Sequence, residues 1–301
     1  MKSTEFRNSL SGIIPPLVTP FNEEGQVDYE LFRKETIKMI ASGVSGISVG
    51  GSTGEGETLS DDELRQMSQI AVEEADGKVI VLGGIITNST IQAIRKGMIM
   101  KETGVDALMI TPIHYLFNSG DQGNYMFYKE IYKATKMPVI VYNVVPWNVV
   151  STEILKKLGS EGIIAGVKQS GGDIHALGTL LVESKDIMPI LTAIDDMMMP
   201  SFVLGAKGGI CAINTILPKT SVKLFKAVKD RKLEVALSLH EAILPIFQSI
   251  LLPDMPSRIK FAMNHAGWEV GYSRRPLLEP TSEVADDLIT KAKNVYLMEG
   301  E

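Results

Sequence analysis

Hydrophobic positions fall into short runs that recur along the chain. They lie at 13–18 (IIPPLV), 44–50 (VSGISVG), 78–84 (KVIVLGG) and 105–111 (VDALMIT), then at 138–143 (PVIVYN), 162–168 (GIIAGVK), 187–193 (IMPILTA) and 208–213 (GGICAI). Each run is β-rich and bounded by Gly, Pro or charged residues, which predicts eight strands. Between the runs the apolar spacing becomes helical, with Phe32, Thr36, Met39 and Gly43 on one face and Ile91, Ile94 and Met98 on another. SDDE at 60–63 reads as a capping box that places acidic residues in a first helical turn, where the helix dipole favours them. Gly43 and Gly104 fit helix ends.

Strands that are apolar on both faces and alternate with helices most simply close into an α/β (β/α)8 TIM barrel. A doubly wound open sheet is the alternative, but its usual G-x-G-x-x-G is missing after the first strand, where LVTPFNEEG stands. Helical patterns continue past the eighth strand at about 219–229, 231–252, 256–266 and 282–298. The expected division is a barrel over 1–218, then the last barrel helix and a C-terminal helical extension over 219–301.

Composition narrows the function classes. The 301 residues are 45% hydrophobic and 22% charged, the proportions of a globular protein. A net charge of −6 with no basic run argues against a nucleic-acid partner. Cys211 is the lone cysteine, so no intrachain disulfide forms, and a cytoplasmic location is expected. The N-terminal MKSTEFRNSL lacks the apolar core of a signal peptide, and no window reads as the roughly 18 apolar residues of a membrane helix. His114, His175, His240 and His265 are scattered without ligand spacing, so no metal is expected.

In such a barrel, chemistry gathers at the C-terminal ends of the strands. Lys168 closes the sixth run, so its ammonium projects into the barrel mouth. Desolvation there favours the free amine, which attacks carbonyls, although the position also suits a lysine that merely follows a strand. Tyr142 ends the fifth run, next to Lys168 around the barrel. It is either a proton shuttle or a strand-end tyrosine with a wet hydroxyl. GGSTGEGETLS at 50–60 follows the second strand, with glycines that expose amides and with the hydroxyls of Ser52 and Thr53 ahead of a helix. The lysine and spacing of a P-loop are missing, which favours a carboxylate over a nucleotide phosphate, unless this is an ordinary Gly-rich loop.

Taken together, these three features resemble the dihydrodipicolinate synthase and N-acetylneuraminate lyase family of pyruvate-dependent class I aldolases. The likeness runs from IIPPLVTPF through the C-terminal helices. GSTGE at 51–55 matches the family's G-[ST]-T-G-E loop, YN its tyrosine at Tyr142, and GVK its lysine at Lys168. The resemblance implies a Schiff-base lyase whose catalytic residues are Lys168, Tyr142 and Ser52, with Gly51, Ser52 and Thr53 holding the carboxylate of a 2-oxo acid. It implies small-molecule partners, a 2-oxo acid and an aldehyde, with no cofactor beyond the covalent lysine imine, and a homotetramer or homodimer.

The chain also departs from that pattern. Dihydrodipicolinate synthases carry an arginine after Y-N-x-P that holds the acceptor's carboxylate, whereas YNVVPWNVV places Trp147 and Asn148 there. This disfavours the synthase activity and favours a less acidic, more apolar acceptor near Trp147. TPIHYLFNSG replaces the family's T-P-Y-Y, putting His114 where a relay tyrosine stands, with Tyr115 one residue later. IDD at 194–196 replaces G-D-D, so Ile194 is expected to reshape the pocket. A dehydratase or deaminase using the same lysine imine, and a 2-oxo-acid-binding protein without turnover, are the alternatives.

Overall fold

The computed structural model describes residues 3–171, 173–251 and 253–299. Each of the eight runs contains a strand: β1 (Gly12–Ile13), β2 (Gly46–Val49), β3 (Ile80–Ile85), β4 (Ala107–Ile110), β5 (Val139–Asn143), β6 (Gly166–Gln169), β7 (Ile190–Thr192) and β8 (Gly208–Gly209). All pair in parallel in the order β1-β8-β7-β6-β5-β4-β3-β2. A bridge between Pro16 and Ser48 brings the β1 segment to β2 and closes the ring into a TIM barrel. β1 is short because Pro15 and Pro16 have no N–H to donate to a ladder.

Alternation along the strands divides the core in two. Leu82, Met109, Ile140, Tyr142 and Leu191 point inward and pack with Phe6 and Leu10 of the N-terminal segment, which plug one end of the barrel. Arg7 fixes that plug by donating to the carbonyls of Gly159, Ile164 and Ile187. The neighbouring strand positions, among them Val81, Leu108, Val141 and Val167, point outward and bury against the helices.

Several helix expectations are met in detail. Ser60 and Glu63 form the capping box, Gly104 caps the helix Thr90–Thr103 in the left-handed region, and Phe32, Thr36 and Met39 are fully buried. The face expected for the helix Thr90–Thr103 is corrected. Ile91 is 82% exposed and Met98 is 37% exposed, while Ala93, Gly97 and Met100 face the barrel. Close approach explains the choice: a Cβ on Gly97 would lie 2.9 Å from the Thr135 Cγ2 and 3.1 Å from the Leu108 Cδ1.

After β8 come the helices Ile213–Ile216, Pro218–Lys229, Leu233–Ile250, Met255–His265 and Ser282–Glu299. One described helix bears on the membrane expectation by length and composition alone. The 18-residue helix Leu233–Ile250, mean hydropathy 1.2, is long and apolar enough by composition to cross a bilayer. Its Ala236, Ile243, Ile246, Phe247 and Ile250 are buried where it packs on the helices Pro218–Lys229 and Ser282–Glu299, while Leu233, Val235 and Leu237 near its start are exposed.

Candidate active site

β5 and β6 run side by side with Tyr142 in register with Lys168. Both point inward, since the flanking Val141 and Val167 belong to the outer core. Lys168 is 4% exposed and Tyr142 is 6% exposed, so the pair is largely withdrawn from water. The Lys168 Nζ lies 3.6 Å from the centre of the Tyr142 ring, a cation–π contact. The Tyr142 hydroxyl donates to the Ser52 Oγ at 3.3 Å, which joins β5 to the loop after β2. The neighbouring Asn143 holds the loop after β5: it donates to the Val150 carbonyl, accepts from the Val150 N–H and donates to the Gln169 Oε1.

The loop after β2 consists of two short 3-10 turns, Ser52–Gly54 and Gly56–Thr58, joined at Glu55. Gly51, Thr53 and Gly54 are buried while Ser52 is exposed. Backbone contacts clamp the loop. The Thr19 hydroxyl donates to the Gly54 carbonyl, and a Cβ on Gly56 would stand 1.8 Å from the Gly50 oxygen.

A cavity of about 510 Å³ opens above Ser52, lined by Thr111, His114, Val144 and Val145 on the barrel side. Pro253, Pro256, Pro276 and Leu277 of the C-terminal segment line its other wall, so most of the lining is apolar. Arg274 also lines it, but its guanidinium is engaged with Glu63 and with the carbonyls of Gly25 and Thr58. The His114 Nε2 accepts from the Asn88 side-chain amide N–H at 3.3 Å, and burial pulls its imidazole below its usual range.

Lys168 and Tyr142 are not part of that lining, which reaches them through Ser52, and the remaining residues singled out in the sequence lie away from it. Tyr115 is 67% exposed, on a tip with Leu116 and Phe117. Trp147 is 54% exposed and donates its indole N–H to the His114 carbonyl, tying the loop after β5 to the loop after β4. Ile194 is buried in the outer core.

Two contributors escaped the sequence reading. Asp195 is buried with its carboxylate accepting from the Ile213 N–H at 2.7 Å. Burial pushes it up to about 6, against the opposing pull of that N–H and of the Lys168 charge. The acidic pair in IDD was the available signal. Asn88 accepts from the backbone N–H groups of both His114 and Tyr115, a role that nothing local in ITNST announces. Among the described residues no group of three His, Cys, Asp or Glu side chains is arranged to hold a metal.

The whole chain is similar to known proteins. The chain is 29% identical over 293 residues to a 4-hydroxy-tetrahydrodipicolinate synthase of Methanopyrus kandleri, covering 96% of this chain and 97% of that protein. The crystal structure of a dihydrodipicolinate synthase from Bacillus anthracis superposes with a TM-score of 0.89 at 27% identity, over 94% of this chain and 97% of that one. CdNal from Clostridium difficile, solved in complex with mannosamine, superposes with a TM-score of 0.85 at 26% identity, over 96% and 98% of the two chains. The sequence profile of the Dihydrodipicolinate synthetase family matches residues 9–295, and the chain belongs to that family.

Proposed function

We propose that this member of a lyase family forms a Schiff base between Lys168 and pyruvate or a related 2-oxo acid. The observation that carries the reading is the continuous set Lys168, Tyr142 and Ser52. The amine lies on the phenol ring, and the phenol bonds to the hydroxyl that opens the anion loop. The Lys168 amine attacks C2 of the 2-oxo acid, and the carbinolamine loses water to give an imine. The imine nitrogen draws electrons from C3, so a C3 proton leaves and an enamine forms. The enamine carbon then adds to an aldehyde, or in reverse the C3–C4 bond breaks and the aldehyde departs. Tyr142 carries the protons, and Ser52 and Thr53 hold the carboxylate and fix the reacting face. This chemistry needs no metal or cofactor.

The acceptor is proposed to be a less acidic aldehyde than that of a dihydrodipicolinate synthase. The cavity wall is largely apolar, and the Arg274 that lines it is already paired with Glu63. His114, which lines the same cavity, is the candidate second proton carrier. The exposed apolar tip Tyr115, Leu116 and Phe117 supports an oligomer, a homodimer or homotetramer, in which a second subunit covers it. Sedimentation of the purified chain as a monomer would remove that part of the reading.

Intact-protein mass after incubation with pyruvate and borohydride tests the core of the proposal. The native chain should gain one reduced adduct, and Lys168→Ala should gain none. An adduct that persists in the variant moves the imine elsewhere, and no adduct with any 2-oxo acid ends the Schiff-base reading.

A further inference from the structure

The loop that presents Ser52 and Thr53 is fastened from more than two hundred residues away. Glu55 joins its two 3-10 turns in the left-handed region, φ 54° and ψ 36°, a conformation disfavoured for a residue with a Cβ. Its side chain is fully buried, and both carboxylate oxygens are engaged. Oε1 accepts from the Lys260 Nζ at 2.6 Å, and Oε2 accepts from the Arg274 backbone N–H at 2.8 Å. Both donors belong to the C-terminal segment that follows the barrel.

Lys260 is 1% exposed on the helix Met255–His265. Its ammonium also donates to the Tyr272 carbonyl at 2.6 Å and lies 4.6 Å from the centre of the Phe21 ring. Arg274 stacks against the same ring at 4.3 Å. Tyr272 exchanges backbone hydrogen bonds with Phe21, which lies in the loop after β1. One ammonium thus ties together the helix Met255–His265, the strap at 272–274 and the loop after β2. A buried carboxylate left without its cation is strongly unfavourable, so the pair holds Glu55 to one place and one rotamer. Glu55 in turn follows Ser52 and Thr53 by three and two residues.

We infer that Lys260 is a positioning residue: acting through Glu55, it fixes the loop whose hydroxyls and amides receive the substrate carboxylate, which makes the C-terminal helices part of the active site. The inference rests on reading 50–60 as a carboxylate cradle. It assigns Lys260 no contact with substrate. Its removal weakens capture of the 2-oxo acid and leaves the lysine imine able to form at saturation.

The test uses the full chain with Lys260→Met, Lys260→Arg and the double variant Glu55→Gln/Lys260→Met. The double variant removes both charges, so no buried ion is stranded, and the introduced amide oxygen can still accept from the Arg274 N–H. Two readouts are taken well below each variant's melting temperature. Hydrogen exchange of the amides at 51–58 should quicken about tenfold or more in the Met-containing variants, the size expected from losing a hydrogen bond between charged groups, while the β5 and β6 amides stay as in the native chain. The pyruvate concentration for half-maximal borohydride trapping should rise by a similar factor of about ten, with full trapping at saturation and substantial recovery in Lys260→Arg. Native loop exchange in the double variant, or equal quickening throughout the barrel, overturns the inference, as does native half-saturation. If the native chain is not trapped by pyruvate at all, the proposed activity falls, and the exchange result still decides whether Lys260 sets the loop.

Discussion

Two loop regions at the mouth of the barrel are built on opposite plans. The loop at 50–60 is held by close backbone packing and one buried ion pair: Gly56 stands against the Gly50 oxygen, Gly54 against the Leu17 carbonyl, and Glu55 is gripped by Lys260 and the Arg274 N–H. The segments at 113–119 and 144–149 are held by a few side chains, chiefly Asn88, Trp147, Asn118 and Asn148, and their apolar tips face outward. A backbone-clamped loop tolerates almost no change in sequence. A loop tied by replaceable side chains can be rebuilt without disturbing the strands beneath it. Under the proposed function the contrast becomes a division of labour: the first loop would bind the part common to all 2-oxo acids, and the second region would select the acceptor.

The largest expected effect falls where the two regions meet, at Tyr142. Tyr142→Phe keeps the ring against the Lys168 Nζ and removes the hydroxyl that reaches Ser52. Loss of a proton carrier should lower kcat for aldol addition or cleavage by about 10²–10⁴-fold, with half-saturation by pyruvate changed far less. A variant that turns over at the native rate would assign the proton transfers to another group, and His114 would be examined next by its own Gln variant. A large rise in half-saturation with unchanged kcat would instead place Tyr142 in the binding half of the site.

A second prediction bears on the clamped region alone. Glu35, which feels the charge of Lys260, is fully buried, with one oxygen accepting from the Val18 N–H and the other unpartnered. Burial pushes its carboxyl up to about 8, opposed by that N–H and by the Lys260 charge. An unfolded chain ionises this group near 4.5. Between those values the folded state binds more protons than the unfolded, so stability falls as pH rises through the window and is lowest above it. Glu35→Gln keeps the neutral shape and removes this dependence. Its stability should therefore gain on the native chain as pH rises from about 4.5 to 8, by on the order of a few kcal/mol at the upper end, read as a widening gap between the two melting temperatures. Parallel melting curves for the two chains across that range would show that Glu35 ionises normally.

The two regions also differ in how far the sequence discloses them. The eight strands were readable because burial on both faces leaves short apolar runs, and Tyr142 and Lys168 were readable because each stands at or next to the end of such a run. Their side-by-side register follows from parallel neighbours of similar length. The loop at 50–60 was readable as glycines and hydroxyls, yet its clamp was not: Glu55 ends the GSTGE motif, but its partner Lys260 lies 205 positions away and carries no local mark. A buried lysine in IKFAMNH looks like any helical lysine until the fold removes its water. The helix Thr90–Thr103 misled for a related reason: the small residues Ala93 and Gly97 form the contact face, and hydrophobicity alone assigns that face to Ile91 and Met98. At Trp147 the sequence suggested an aromatic wall for the acceptor, whereas the side chain lies half exposed and joins two loops through its indole N–H.

Trp147 therefore gives the smallest effect and the sharpest discrimination. As a tie between loops, it acts through its hydrogen bond to the His114 carbonyl, and the ring itself is replaceable. Trp147→Phe and Trp147→Ala should then behave alike, each lowering stability by about 1 kcal/mol and shifting half-saturation for the acceptor by a few-fold, because His114 loses its fixed position. Imine trapping with pyruvate should be native in both, since the clamped loop does not touch this tie. As an aromatic wall, Trp147 would give a different pattern. Phe would retain most of the native affinity, Ala would lose it, and the loss would be greater for aromatic aldehydes than for aliphatic ones of similar size. Measured side by side, the two variants and two aldehyde classes separate a residue that selects the acceptor by contact from one that selects it by holding His114 in place.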